Sequence, residues 1–221
     1  MCSIAGSLHG TVQAVAQVMA LGAFENLQEL CVGSCISIKN DYMLLLLRTI
    51  RPHPCAARLR VLQIQGSELK GSAVMAELGS MMAAGELPAL EELRVSLSYG
   101  LGDAAIKALC EVLTNSATSP VSVRVLSLRG LTMGSRGMCA IVDALERGAF
   151  GSRMEELCWF VPERGPFHDD GQALKRLLKG DGCQHLVHLR SLSVTIHSSS
   201  KMHSRIIKAV RKCCPAVQFK R

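Results

Sequence analysis

The side chains in this chain that could do chemistry are scattered, and their spacing assigns them to structure. His168, Asp169 and Asp170 sit together in a stretch with two prolines and a glycine, Pro162 to Asp170. A metal or acid/base site there would need partners that the stretch does not supply. An aspartate capping the following helix accounts for it, since Asp is a preferred N-cap residue. Cys183, His185 and His188 offer soft and imidazole ligands at short spacing, but no second half of a four-ligand zinc site accompanies them. Cys213 and Cys214 are adjacent, and their pairing would be strained. The P-loop, the Gly-rich dinucleotide fingerprint, the nucleophile elbow and the H-E-x-x-H helix are all missing. The expectation is therefore a chain that is not an enzyme, with no cofactor, metal or catalytic residue.

Charge offers a different kind of chemistry. Gln28, Arg60, Glu91, Arg124, Glu155 and Arg190 recur at nearly constant intervals, and their signs alternate from Arg60 onward. If they stand on neighbouring parallel strands about 4.8 Å apart, opposite charges meet across the sheet. Such pairing fixes register. The same row also lines a face that can meet a partner.

The elements that would hold this row are read from an apolar pattern. Leu90, Leu93 and Val95 occupy the first, fourth and sixth places of a short strand. The same spacing appears at Leu27, Leu30 and Val32, and at Leu59, Leu62 and Ile64. It returns at Val123, Leu126 and Leu128, at Met154, Leu157 and Trp159, and at Leu189, Leu192 and Val194. First places fall at 27, 59, 90, 123, 154 and 189, so the intervals are 32, 31, 33, 31 and 35 residues. A partial strand is expected near 215, with Cys214, Val217 and Phe219 inward.

Helix-period apolar faces lie between the strands. They are Val12, Val15, Ala16 and Met19; Met43, Leu46, Leu47 and Ile50; and Val74, Leu78, Met81 and Met82. Ala105, Ile106, Leu109, Val112 and Leu113 form the next, and Met138, Ile141, Val142 and Leu145 follow. The last two contain Ala173, Leu174, Leu177 and Leu178, then Ile206, Ala209 and Val210. Asp103 stands where a helix-capping or first-turn acid belongs. One strand and one helix cannot bury both apolar faces alone, whereas stacked copies bury them jointly.

A strand of the form L-x-x-L-x-L with a following helix at this period resembles a leucine-rich repeat of the ribonuclease-inhibitor type. The resemblance covers roughly residues 9 to 219. Odd copies read LQEL, LEEL and MEEL, and even copies LRVL, VRVL and LRSL. That alternation is similar to the family's two repeat types. The family's Asn or Cys three residues past the strand core is met by Cys35 alone, with Ser67 and Ser98 as weak substitutes. The resemblance implies an α/β leucine-rich-repeat solenoid, with a curved parallel sheet on the concave face and helices on the convex face. It further implies a single array over 1–221. Aligning Gly22-Ala23-Phe24 with Gly148-Ala149-Phe150 places Met1 at the position of Ser127, so the array is expected to be cut at one or both ends.

Composition agrees with a repeat scaffold. The chain has 221 residues, 48% of them hydrophobic but only 4% aromatic. Few rings argues against stacking on nucleic-acid bases. Ten cysteines without a short secreted framework are expected to be free, buried or half-buried thiols in a reducing compartment, the cytoplasm or the nucleus. No basic leader precedes the first apolar helix, and Tyr42 to Leu47 is far too short to span a bilayer.

The expected function is a non-catalytic scaffold for another protein, bound through the concave sheet and adjoining turns. Candidate contacts are Arg60, Glu91, Arg94, Arg124, Arg129, Glu155, Phe160 and Arg190. Outward strand positions also include Cys31, Gln63, Ser127, Cys158 and Ser193. Arg94 stands outside the alternating row, which makes it the first residue to test. Two alternatives remain. Ran GTPase activators look similar because they use this repeat class, so a regulatory GTPase-activating module is one. The other uses charge: of the net +7, residues 171–221 carry +10, and residues 1–170 carry −3. Arg205, Lys208, Arg211 and Lys212 on the last helix then offer a footprint for an acidic partner or RNA.

Overall fold

A computed structural model describes residues 2–5, 9–33, 38–65, 69–96, 100–116, 122–131, 133–151, 153–161, 188–196 and 218–219. Among the described residues strands and helices alternate from residue 2 to residue 161. The strands are β1 (Cys2–Ala5), β2 (Glu29–Gly33), β3 (Val61–Gln65), β4 (Glu92–Ser96), β5 (Val125–Arg129), β6 (Glu156–Val161), β7 (Ser191–Ile196) and β8 (Gln218–Phe219). The helices are α1 (His9–Ala20), α2 (Asn40–Ile50), α3 (Ala73–Ala83), α4 (Asp103–Asn115) and α5 (Ser135–Glu146), with a 3-10 turn at Pro54–Arg58. The strands form one sheet in chain order, β1 to β8, and each neighbouring pair is parallel. The molecule is an α/β protein built on a parallel sheet.

Register follows the apolar pattern. The fourth-place residues form one column, Leu30, Leu62, Leu93, Leu126, Leu157 and Leu192, each beside the next. Leu30, Leu62, Leu93, Leu126 and Leu157 are all buried, as are first-place Leu59, Leu90, Val123 and Met154 and sixth-place Val32, Ile64, Val95 and Leu128. Because side chains alternate across a strand, one face of the sheet enters the core and the other turns away from it. The five expected helix faces from Val12 to Leu145 close the core from the opposite side, with Val15 and Val112 only half-buried; those at 173–178 and 206–210 lie outside the described residues.

Both ends of the sheet depart from the expected register by two residues. Cys2 pairs with Leu30, not with a sixth-place residue, and Ile4 pairs with Val32. The reason is the connection to the helix: Ile4 precedes α1 by five residues, whereas its counterpart Leu128 precedes α5 by seven. At the other end Phe219 lies beside Leu192, in the fourth place where the sequence pattern put it in the sixth. A two-residue slip keeps every residue on the same face, so the pattern of faces survives.

Side chains staple successive copies. Asn40 Nδ2 donates to the Lys70 carbonyl at 2.6 Å, and Lys70 N–H donates to Asn40 Oδ1 at 3.0 Å. Arg51, just past α2, reaches Glu86 at 2.6 Å, Glu77 at 3.0 Å and Ser80 at 3.0 Å on the α3 side. Gly100 packs so closely on the preceding turn that a Cβ there would meet the Leu69 carbonyl oxygen at 2.2 Å. Asp103 lies in the first turn of its own helix, where an acid was expected, but its carboxylate serves the next one. Oδ1 accepts from Gly134 N–H at 2.6 Å and Gly137 N–H at 2.9 Å, capping α5. A carboxylate there also meets the positive end of the helix dipole.

Candidate functional site

The charged row stands at the start of the strands. Arg60, Glu91, Arg124, Glu155 and Arg190 each precede the first residue of β3, β4, β5, β6 and β7. The carbonyls of Arg60, Glu91, Arg124 and Glu155 are each shared by two N–H groups of the next copy. Arg60 O accepts from Glu91 and Glu92 at 2.9 Å each, and Glu91 O accepts from Arg124 at 2.7 Å and Val125 at 3.0 Å. Arg124 O and Glu155 O repeat the arrangement toward Glu155 and Glu156, and toward Arg190 and Ser191. The backbone therefore stacks these side chains whatever their charge.

Alternating sign then lets them pair. Arg60 meets Glu91 at 2.9 Å, Glu91 meets Arg124 at 3.2 Å, and Arg124 meets Glu155 at 2.9 Å. Arg124 grips Glu155 with two parallel bonds, adding Nε to Oε1 at 3.0 Å, the fork geometry that suits guanidinium to carboxylate. Hydrogen bonding to Arg60 holds the Glu91 carboxyl below its ordinary range, and bonding to Arg124 does the same for Glu155. The Glu91 bond in turn raises Arg60, and the Glu155 bond raises Arg124. Arg190 is exposed at the end of the row, close enough to add to the depression of Glu155.

The face beyond the row is more closed than the strand alternation predicts. Ser127, Cys158 and Ser193 occupy outward positions yet are 5%, 0% and 5% exposed. Longer neighbours cover the thiol: Arg129 Nη2 donates to Cys158 Sγ at 3.5 Å, and Cys158 Sγ donates to Glu156 Oε1 at 3.2 Å. Burial pushes the Cys158 thiol above its ordinary value.

Arg94 is not unpaired, as its place outside the alternating row had implied. Its Nε and Nη2 both reach Glu92 Oε2, at 3.0 and 2.9 Å. Residues two apart on a strand share a face, so the pair was legible once the third-place residues Glu29, Glu92 and Glu156 were read as a row of their own. Arg129, at the far end of β5, is exposed and bonded to a thiol. Gln63 and Gln65 on β3 are joined by an Nε2-to-Oε1 bond of 3.3 Å.

The remaining candidates divide by position. The Phe160 backbone pairs with Thr195, and its side chain lies outside what is described. His168, Asp169, Asp170, Cys183, His185, Cys213, Cys214 and the basic set Arg205, Lys208, Arg211 and Lys212 lie outside the described residues. Among the described residues no three His, Cys, Asp or Glu side chains converge as metal ligands. Cys31, Cys55, Cys110, Cys139 and Cys158 form no disulfide. A groove of about 740 Å³ between α4 and α5 is lined by Cys110, Cys139 and the charged residues Lys107, Glu111, Arg136, Asp143 and Arg147. Burial, with Asp143 and Glu111 nearby, pushes the Cys110 thiol up to about 12, so it stays protonated at neutral pH. No helix among the described residues is long and apolar enough to cross a membrane.

Compared with known proteins, the sequence matches no family model and no curated protein.

Proposed function

We propose that this chain is a leucine-rich-repeat solenoid of the ribonuclease-inhibitor type, and that it binds another protein through the concave face of its sheet without catalysis of its own. The observation that carries this reading is the outer face of the sheet. Successive parallel strands send alternate side chains to the core and leave Gln63, Gln65, Arg94 and Ser96 half-buried and Arg129 exposed on the other side. A stack of parallel strands presents such side chains in rows, which suits recognition of a surface more than attack on a bond. The row Arg60, Glu91, Arg124 and Glu155 satisfies its charges internally. It frames the surface and keeps its register, and the discriminating contacts fall to Arg129, with Arg94 second because Glu92 already holds it.

The partner expected at Arg129 carries acidic groups. Reversing Arg129 to Glu should weaken capture of the chain's protein partner from native lysate by roughly tenfold or more, the cost of a like-charge contact at an interface. The Arg94→Glu, Arg129→Glu double variant should lose capture altogether. Unchanged capture by single and double variants, identified by mass spectrometry, would remove this face from the binding surface.

A further inference from the structure

The outer face of β5, β6 and β7 holds a polar group that the charged row does not use. Ser127, Cys158 and Ser193 lie side by side on these three strands. Arg129 and Glu156 stand two residues along from Ser127 and Cys158, and so share their face. Ser191 stands two residues before Ser193, beside Glu156.

Short side chains among long ones make a depression in a sheet surface, and this one is shut. Ser127, Cys158 and Ser193 are all buried, although Arg129 beside them is exposed. Arg129 folds back over the thiol, with Nη2 donating to Sγ at 3.5 Å. From the other side Glu156 Oε1 accepts from the same sulfur at 3.2 Å. Ser191 is 9% exposed, and its Oγ is buried with no hydrogen-bond partner. Buried hydroxyls ordinarily find one, so the closed arrangement leaves a donor unsatisfied beside Glu156.

The bond that shuts the depression is a weak one. A thiol sulfur is a poor acceptor for a guanidinium. A carboxylate is much better, because the bond is then charge-assisted and can be made by two N–H groups at once. The same sheet shows the preference. Arg124 grips Glu155 with two bonds, and Arg94 turns to Glu92 and not to Ser127 beside it.

We propose that Arg129 is the lid of a carboxylate-binding slot whose floor is Ser127 and Cys158. A carboxylate side chain of the partner protein replaces the sulfur as the acceptor of Arg129. The Ser127 hydroxyl and the Cys158 thiol beneath then donate to it, and Glu156 takes the waiting Ser191 hydroxyl in place of the thiol. Glu156 repels the incoming acid, which keeps it on the β5 side. If the sheet face is the partner's binding surface, as proposed above, this slot is where it takes the partner's acid. Opening the lid also uncovers Cys158.

Two small alkylating agents test the slot on the full chain. Iodoacetate carries a carboxylate and iodoacetamide does not. With either, the thiol proton passes to water, the S–C bond forms and iodide leaves. Peptide mass spectrometry reads the labelling of Cys158 and of half-buried Cys139 on α5. Iodoacetamide should label Cys158 slowly, and several-fold faster in Arg129→Gln, which has no lid. The ratio of iodoacetate to iodoacetamide labelling at Cys158 should fall roughly tenfold in Arg129→Gln, the effect of one charge-assisted contact. Cys139 should keep its rates in both proteins, which reports an unchanged fold. Equal iodoacetamide rates at Cys158 in the two proteins, including no labelling in either, would overturn the lid. An unchanged ratio would overturn the carboxylate seat. Loss of partner capture by Arg129→Glu alongside an unchanged ratio would remove the slot and leave the sheet face as the binding surface. An Arg129-dependent ratio alongside unchanged capture would support the slot and remove the sheet-face reading.

Discussion

Two rows of side chains cross the same parallel sheet and meet different fates. At the strand starts, Arg60, Glu91, Arg124 and Glu155 alternate in sign and close on one another at 2.9 to 3.2 Å. At the strand ends the equivalent row reads Gln65, Ser96 and Arg129. Its one charge reaches a cysteine sulfur. The backbone imposes adjacency equally on both, since strand register stacks every place of the repeat. What differs is chemistry. A row with alternating charge satisfies itself and becomes part of the fold, whereas a row of uncharged residues with a single cation leaves that cation for something else. The charged residues most conspicuous in the sequence are thus the ones most fully occupied.

That contrast breaks first if the strand beneath both rows is loosened. Leu93 is completely buried and lies between Leu62 and Leu126 in the apolar column. Leu93→Ala should cost about 2–5 kcal/mol, the usual range for a cavity left by a buried leucine. Urea denaturation should show it, and both rows should lose order together. Next comes the link between copies. Asp103→Ala removes two hydrogen bonds to the start of α5 and should cost about 0.5–2 kcal/mol. Hydrogen exchange should then speed up at Gly134 and Gly137 before it changes in β5.

The charged row should respond weakly and with a defined pH dependence. Glu91→Gln should cost under about 1 kcal/mol at neutral pH, because the pairs are substantially exposed. The folded-state pKa of Glu91 lies below its ordinary 4.5. Its contribution is therefore complete above that value and lost as pH falls through the depressed one. The stability difference between the unaltered chain and Glu91→Gln should shrink on acidification below about pH 4.5. A difference that grew would mean that the ion pairs do not stabilise the row. Arg129→Glu marks the smallest effect, about 0.5 kcal/mol, since an exposed side chain gives up one long bond to the Cys158 sulfur.

How much of this was legible in the sequence depends on distance along the chain. First, fourth and sixth places of each strand repeat at nearly fixed intervals, so the buried column and the alternating charges followed from spacing alone. The Arg94 bond to Glu92 is not visible in the alternating row, because Glu92 belongs to another place of the repeat. The spacing makes Ser127 and Cys158 outward strand positions, but alternation sets only direction. Whether a short side chain is covered depends on neighbours such as Arg129. The Asp103 cap escaped for a different reason. It serves a helix that begins more than thirty residues later, and only the stacking of α4 on α5 brings carboxylate and amide together. The two-residue slip of β1 goes with fewer residues between β1 and α1, which an alignment anchored at Gly22 does not register.

The claim that the sheet face binds a protein is tested most directly by attaching a photo-crosslinkable side chain at one position on each layer. Position 129 lies at the open end of β5, and position 107 lies on α4 facing the groove. Irradiation in native lysate should attach a discrete protein partner through position 129 and none through position 107. Attachment through position 107 alone, or through neither, would contradict recognition by the sheet face.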